Sequence, residues 1–197
     1  VLTAFNKRDI KSAEAALKYF LFGGMSAAFM LFGLSLLYGL SGSTNLGQIA
    51  TALAGKCLDP LLVVAIVMTV IGFGFKVAAV PFHLWAPDTY QGAPTPSAAF
   101  IASGSKVASF FIFAKVMILG FAGAEGSGAF RAYAACWVPV IAIVAGLSMI
   151  LGNLVAIVQS SVKRLLAYSA IAHAGYMLLA VLSHDKQAVA SLIYYAV

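Results

Sequence analysis

The stretch "FGFKVAAVPFHLWAPDTYQGAPTP", residues 73–96, sets a lysine, a proline and a histidine inside a run of membrane-grade hydrophobicity. Lys76 follows two nearby glycines, Gly72 and Gly74, and Pro81 and His83 come shortly after it. Proline removes a backbone donor and its ring clashes with the preceding turn. A helix entering from Pro60 is therefore expected to break between about Lys76 and His83. Broken backbone at membrane depth is tolerated only where it lines protein or a water-filled cavity, and transporters build ion sites at such breaks. The lysine and the break suit the same polar interior. In the other reading the helix runs on unbroken, and Lys76 is an interfacial anchor near its far end.

The rest of the sequence frames that stretch as part of a membrane protein. The 197 residues are 62% hydrophobic and 9% charged, with mean hydropathy +0.99. A soluble domain carries about 25% charged residues, so this chain could not keep a wet surface. The net charge of +6 is spread along the sequence. It reads as loop charge and buried lysines, with no nucleic-acid surface. Cys57 and Cys136 fit no metal or disulfide spacing and read as inert apolar residues. The chain begins at Val1 without a signal-peptide layout and ends inside an apolar run, so it is expected to be the central part of a longer subunit.

Apolar spans are expected at 12–40, 60–85, 96–122, 130–158 and 162–182, with a truncated sixth from 187. Each complete span reaches the roughly 20 residues that cross hydrocarbon as a helix. The expectation is a single all-α transmembrane bundle whose second helix is discontinuous. Ser12, Asp59 and Thr95 are candidate helix caps, the last two each followed by a proline. Lys7, Arg8, Lys11, Lys163 and Arg164 fall on one side, and Lys56, Arg131 and Lys186 on the other. That excess puts the amino-terminal end of the first span in the cytoplasm.

Ionisable residues inside the spans are the candidate site. Lys106 lies near the middle of the third, where a charge costs on the order of 3 kcal/mol on the mildest scale. Ser103, Gly104, Ser105 and Ser109 surround it with small and hydroxyl-bearing groups. It reads as a proton or ion relay, or as a structural lysine paired with a carboxylate on another helix. His83, just past the break, could pass protons or cap freed carbonyls. Ser169, His173 and Tyr176 share one face of the fifth span, as a proton relay or as an interhelical hydrogen-bonding stripe. Glu14 and Lys18 form an i,i+4 pair, either interfacial or at the entrance of the polar interior. Lys115 faces away from Lys106, and Lys163 and Arg164 read as cytoplasmic anchors. No phosphate loop, metal-ligand spacing or nucleophile elbow is present in the sequence.

These residues also carry a resemblance. "FKVAAVPFHLWAPDTYQGAPTPSAAFIASGSKVA", residues 75–108, resembles the antiporter-like membrane subunits of respiratory complex I, the proton-pumping NADH:quinone oxidoreductase. The "PxHxWxPD" core is shared across that family. "PDTYQGAPTP" followed by "SGSK" is similar to its subunit N branch, as are "SAEAALKYFLFGG" and "GNLVAIVQSSVKRLLAYSAIAHAGY". The resemblance implies a proton-translocating subunit in a bacterial inner membrane, beside the other membrane subunits of the complex. No cofactor would bind this chain, and NADH and quinone would be used elsewhere in the complex. Lys76 matches the lysine of the broken helix and Lys106 the lysine that passes the proton on. Lys18, His173 and Lys163 match polar positions of flanking helices. The family's glutamate partner of the broken-helix lysine and its exit lysine have no counterpart here. A related cation/proton antiporter or membrane-bound hydrogenase subunit shares the core motif, and a structural membrane scaffold is the reading from another class.

Overall fold

A computed structural model describes the chain except residues 1, 7, 58, 128–132, 184, 185 and 197, and for Lys186 it describes the backbone alone. Lys7 and Arg131, counted above for orientation, lie outside the described residues.

The first span is α1, Ile10–Ser41. It starts one turn earlier than a Ser12 cap would allow. Asp9 caps it instead, accepting from the Lys11 N–H at 3.0 Å, while the Ser12 hydroxyl donates to the Thr3 carbonyl. Gly42 ends it in the left-handed region at φ 66°. A short helix α2, Leu46–Leu53, follows on an Asn45 cap. Nothing in the sequence reading anticipated it, because eight residues are too few to show a span.

The second span is broken. Helix α3 runs Pro60–Val77 from an Asp59 cap, which accepts from Leu61 N–H at 2.9 Å. Helix α4, Trp85–Gly92, resumes after the gap. The break opens at Ala78, ahead of the proline, because Pro81 clashes with the carbonyl four residues back, that of Val77. Ala78 takes φ 58°, and the Val80–Pro81 peptide is cis. The groups freed by the break are bonded. Ala79 N–H donates to Gly74 O, Trp85 Nε1 to Phe75 O, and Val80 N–H to Ser148 Oγ, at 2.9, 3.0 and 2.9 Å.

The third span is composite over Thr95–Gly120. Helix α5, Thr95–Phe100, leads into a π-helical turn, Ile101–Ser105; α6, Lys106–Lys115, leads into another, Val116–Gly120. Thr95 is not a cap but the first helical residue, after Pro94. The fourth span is α7, Trp137–Ile157. Phe130, the expected start, lies outside the described residues; ahead of the helix Ser127 and Ala134 pair as an isolated bridge, and Trp137 Nε1 bonds the Phe121 carbonyl. Helices α8, Val162–Leu182, and α9, Lys186–Ala196, complete the fold.

Small residues let these helices approach. A Cβ built on Gly152 of α7 would meet the Ala172 backbone of α8 at 2.8 Å, and one on Gly72 of α3 would meet the Met30 side chain of α1. Helix α1 packs along α3, α7 along α8, and α4 wedges between α1 and α8. Leu62, Ile66, Phe110, Met117, Trp137 and Ile141 fill the core between α3, α6 and α7. Phe20, Ile150, Leu154 and Ile157 stand exposed, as lipid-facing residues do. Among the described residues, five helices are long and apolar enough to cross a membrane. The chain is an all-α transmembrane bundle with a discontinuous helix.

Ser148 is the test of the break. Ser148→Ala leaves the buried Val80 N–H without an acceptor, which costs about 1–3 kcal/mol. Thermal unfolding of the full-length protein in detergent should show a lowered midpoint, and Ser148→Thr, which keeps the oxygen, should restore most of the loss.

Candidate functional site

Lys106 sits at the first position of α6, directly after the π-helical turn. Such turns re-aim side chains inside an otherwise regular helix. Its side chain is buried, at 5% exposure, and its ammonium donates to the Ala170 carbonyl of α8 at 2.6 Å. No described carboxylate pairs with it. The unseen-carboxylate partner of the structural reading is therefore absent among the described residues.

The lysine borders a cavity of about 430 Å³, lined also by Ser103, Ala170, His173, Met177 and Tyr195. That volume holds several waters. Ser103 and Ser109 turn their hydroxyls back onto the carbonyls of Ala99 and Ser105. Of the two, only Ser103 reaches the cavity. His173 presents its ring to the cavity, hydrogen-bonds through Nδ1 to the Tyr195 hydroxyl of α9, and meets the Tyr176 ring edge-on at 5.8 Å. Lys106 and His173 are thus brought to one chamber. Tyr195 is a member that sequence reasoning missed, because it lies in the incomplete sixth span.

Lys76 is placed differently. Its side chain is exposed, although its neighbours Phe75 and Val77 are buried, and it does not line the Lys106 cavity. Within the described chain the two lysines are not brought together. His83 is half-buried in the break, with Nδ1 lacking a well-formed hydrogen bond and its ring edge-on to Tyr168 at 6.4 Å. Lys115 and Lys163 are exposed.

A second polar group lies at the end of α4. Lys18 Nζ sits 2.6 Å from both Glu14 and Asp88, and Arg164 Nη1 sits 2.6 Å from the other Asp88 oxygen. Gln91 and Gln159 add hydrogen bonds to the same guanidinium. Asp88 thereby ties α4 to both α1 and α8. Arg164 is more than an anchor, and Glu14 and Lys18 form the expected i,i+4 pair. Sequence reasoning passed over Asp88, though it is one of only six acidic residues and stands in the first turn of α4, where a carboxylate is favoured. Asp88 lies outside the five spans. Burial pushes its carboxyl up; the hydrogen bonds from Lys18 and Arg164, with their charges, outweigh that and hold it below the ordinary value.

A family model described as "NADH:quinone oxidoreductase/Mrp antiporter, TM" matches residues 1–197. The chain is 64% identical to NADH-quinone oxidoreductase subunit N 2 of Acidobacterium capsulatum, over 99% of the chain and 39% of that relative. A chain of respiratory complex I from Thermus thermophilus with bound aureothin superposes at TM-score 0.77 with 39% identity, over 99% of this chain and 40% of that one. A chain of an archaeal membrane-bound sulfane sulfur reductase superposes at 0.79 with 28% identity, over 99% and 38%. The chain spans about two fifths of the length of the relatives it matches.

The Asp88 cluster has a signed pH dependence. A carboxyl whose native value is depressed contributes stability above its unfolded value, here 3.8, and loses it as pH falls through the native one. Thermal unfolding of the full-length protein should be flat from neutral pH to about 5 and fall below about 4 in this contribution. Asp88→Asn should destabilise the protein at neutral pH by roughly 1–2 kcal/mol, between exposed and buried pairs, read as a lowered midpoint, and should flatten the acid limb.

Proposed function

Because the chain belongs to the NADH:quinone oxidoreductase/Mrp antiporter transmembrane family, we propose that it forms part of a proton-translocating membrane subunit of an NADH:quinone oxidoreductase. It would sit in a bacterial inner membrane among the other membrane subunits of that complex. NADH oxidation and quinone reduction take place elsewhere in the assembly, and this chain moves protons in response.

The observation that carries this reading is Lys106: a buried lysine without a carboxylate partner among the described residues, at the wall of a chamber it shares with His173. A charged lysine at membrane depth is costly to keep for packing alone. A group that alternates between charged and neutral forms meets that cost only in part of a cycle. A carboxylate approaching a desolvated lysine favours its charged form, and withdrawing it releases the proton. Each proton moved against 100 mV requires about 2.3 kcal/mol, a scale such a change can meet. Lys76 is proposed as a second carrier, its exposed side covered by parts of the longer subunit. His83 at the break, His173 in the chamber, and Lys18 at the α1–α4 junction are proposed as auxiliary proton-handling groups.

Lys106→Ala in the full-length subunit, within its complex, should reduce proton pumping and coupled NADH:quinone turnover several-fold. Lys106→Arg should also impair both, because a guanidinium does not release its proton at working pH. Electron transfer to a soluble artificial acceptor should stay near wild type and reports assembly. Full pumping in both variants, measured in sealed vesicles, would refute the relay.

A further inference from the structure

Far from the lysine chamber, the fold brings together the chain's two cysteines. Cys57 lies in the loop between α2 and α3, and Cys136 caps α7. The two side chains pack into the same apolar cluster, close enough for the Cys57 thiol to act on that of Cys136. Both line one cavity of about 210 Å³, walled by Val63, Ile66, Tyr133 and Pro139 among others. The pair is separated by the whole of α3 to α6 in sequence, so no spacing rule could have found it. Both belong to the end of the bundle opposite Lys11, Lys163 and Arg164. The charge asymmetry puts that end on the outer face of the membrane, where thiols meet oxidising conditions.

We propose that Cys57 and Cys136 are a disulfide-forming pair that locks the outer end of α3 to the outer end of α7. Cys57 is half-buried on an open cavity wall and Cys136 is buried, which orders the steps. The Cys57 sulfur, as thiolate, attacks a protein disulfide of the outer compartment. A mixed disulfide forms and one thiolate of the oxidant leaves. Cys136 gives up its proton and attacks the Cys57 sulfur, and the second thiolate of the oxidant leaves. Two thiols lose two protons and two electrons. The oxidant's disulfide takes up both and becomes two thiols. Burial, and then contact with Cys57, push the Cys136 thiol up to about 12, so Cys136 is suited to the second, intramolecular step and not to the first.

The position gives the bond a mechanical meaning. Helix α7 already holds the break of α3–α4 through the Ser148 oxygen that receives Val80 N–H. A covalent tie at the other end of α3 fixes the α3–α7 contact at two places, one at each end of the helix that carries Lys76. Around the tie, Val138 N–H donates to the Glu125 carbonyl and Ser127 pairs with Ala134, so the backbone on both sides of Cys136 is fixed.

The test uses the full-length subunit in native membranes from aerobically grown cells. Membranes are denatured in the presence of light N-ethylmaleimide, then reduced and alkylated with a heavy form, and peptides are read by mass spectrometry with and without reduction. The expected result is heavy label on both cysteines and, before reduction, a linked peptide joining Cys57 to Cys136. Cys57→Ser should shift Cys136 from heavy to light label. Light label on either cysteine of the wild-type protein, or heavy label with linkage to any other cysteine, overturns the proposal.

Discussion

A backbone donor or acceptor left open inside hydrocarbon costs several kcal/mol, and that cost governs how this chain is built around its break. Ending α3 at Val77 releases groups that no water can satisfy. They are met from two directions: the Trp85 indole returns from α4 to the Phe75 carbonyl, and the Ser148 hydroxyl arrives from α7 to take Val80 N–H. The break therefore requires α7 at its side, and the close α7–α8 packing through Gly152 and Gly175 holds α7 to the helix that carries the Ala170 carbonyl. The left-handed Ala78, which costs on the order of 1 kcal/mol, is kept by this same ring of bonds.

Charge follows the same economy of partners. The four charged groups at the α1–α4–α8 junction neutralise one another, with Asp88 shared between two cations. Loss of the shared carboxylate removes a partner from both cations at once, so the junction behaves as a unit. Lys106 has no such partner among the described residues and rests on a backbone carbonyl, which neutralises nothing. The contrast is chemical: one cluster is built to stay charged, and the other position tolerates a lysine in either protonation state, since ammonium and amine both donate to a carbonyl.

Much of this was legible in the sequence, and the reasons for the rest are physical. Five spans, the break and the buried lysine follow from hydropathy and one proline, because in hydrocarbon the backbone constraint leaves few alternatives. The break was expected between about Lys76 and His83 and opens at Ala78, inside that window and ahead of Pro81, since a proline acts on the turn before it. The Ser12 and Thr95 caps failed for a related reason: cap preference ranks residue types, and Asp9 and Pro94 stood close enough to take the positions. Asp88, Ser148, Trp85 and the cysteine contact depend on which helices become neighbours. All but the Trp85–Phe75 bond, which spans the break itself, are pairings across long stretches of chain, and periodicity carries no information about them.

One helix connects the pieces. Helix α8 presents Arg164 to the Asp88 cluster, the Ala170 carbonyl to Lys106, and His173 to Tyr195 of α9. At 1.5 Å per residue, these points lie about 9 and 4.5 Å apart along its axis. Helix α8 is continuous from Val162 to Leu182, without the π-helical turns that interrupt the third span, so it has no internal joint to absorb a displacement. The Asp88 contact and the carbonyl that holds Lys106 are therefore borne by one uninterrupted helix. The neighbouring wall, α5 and α6, does contain such a joint, and Lys106 is mounted at its edge. A continuous helix facing a π-interrupted one across a cavity is an arrangement in which a change of charge at the junction can alter the surroundings of the buried lysine without unpacking the bundle.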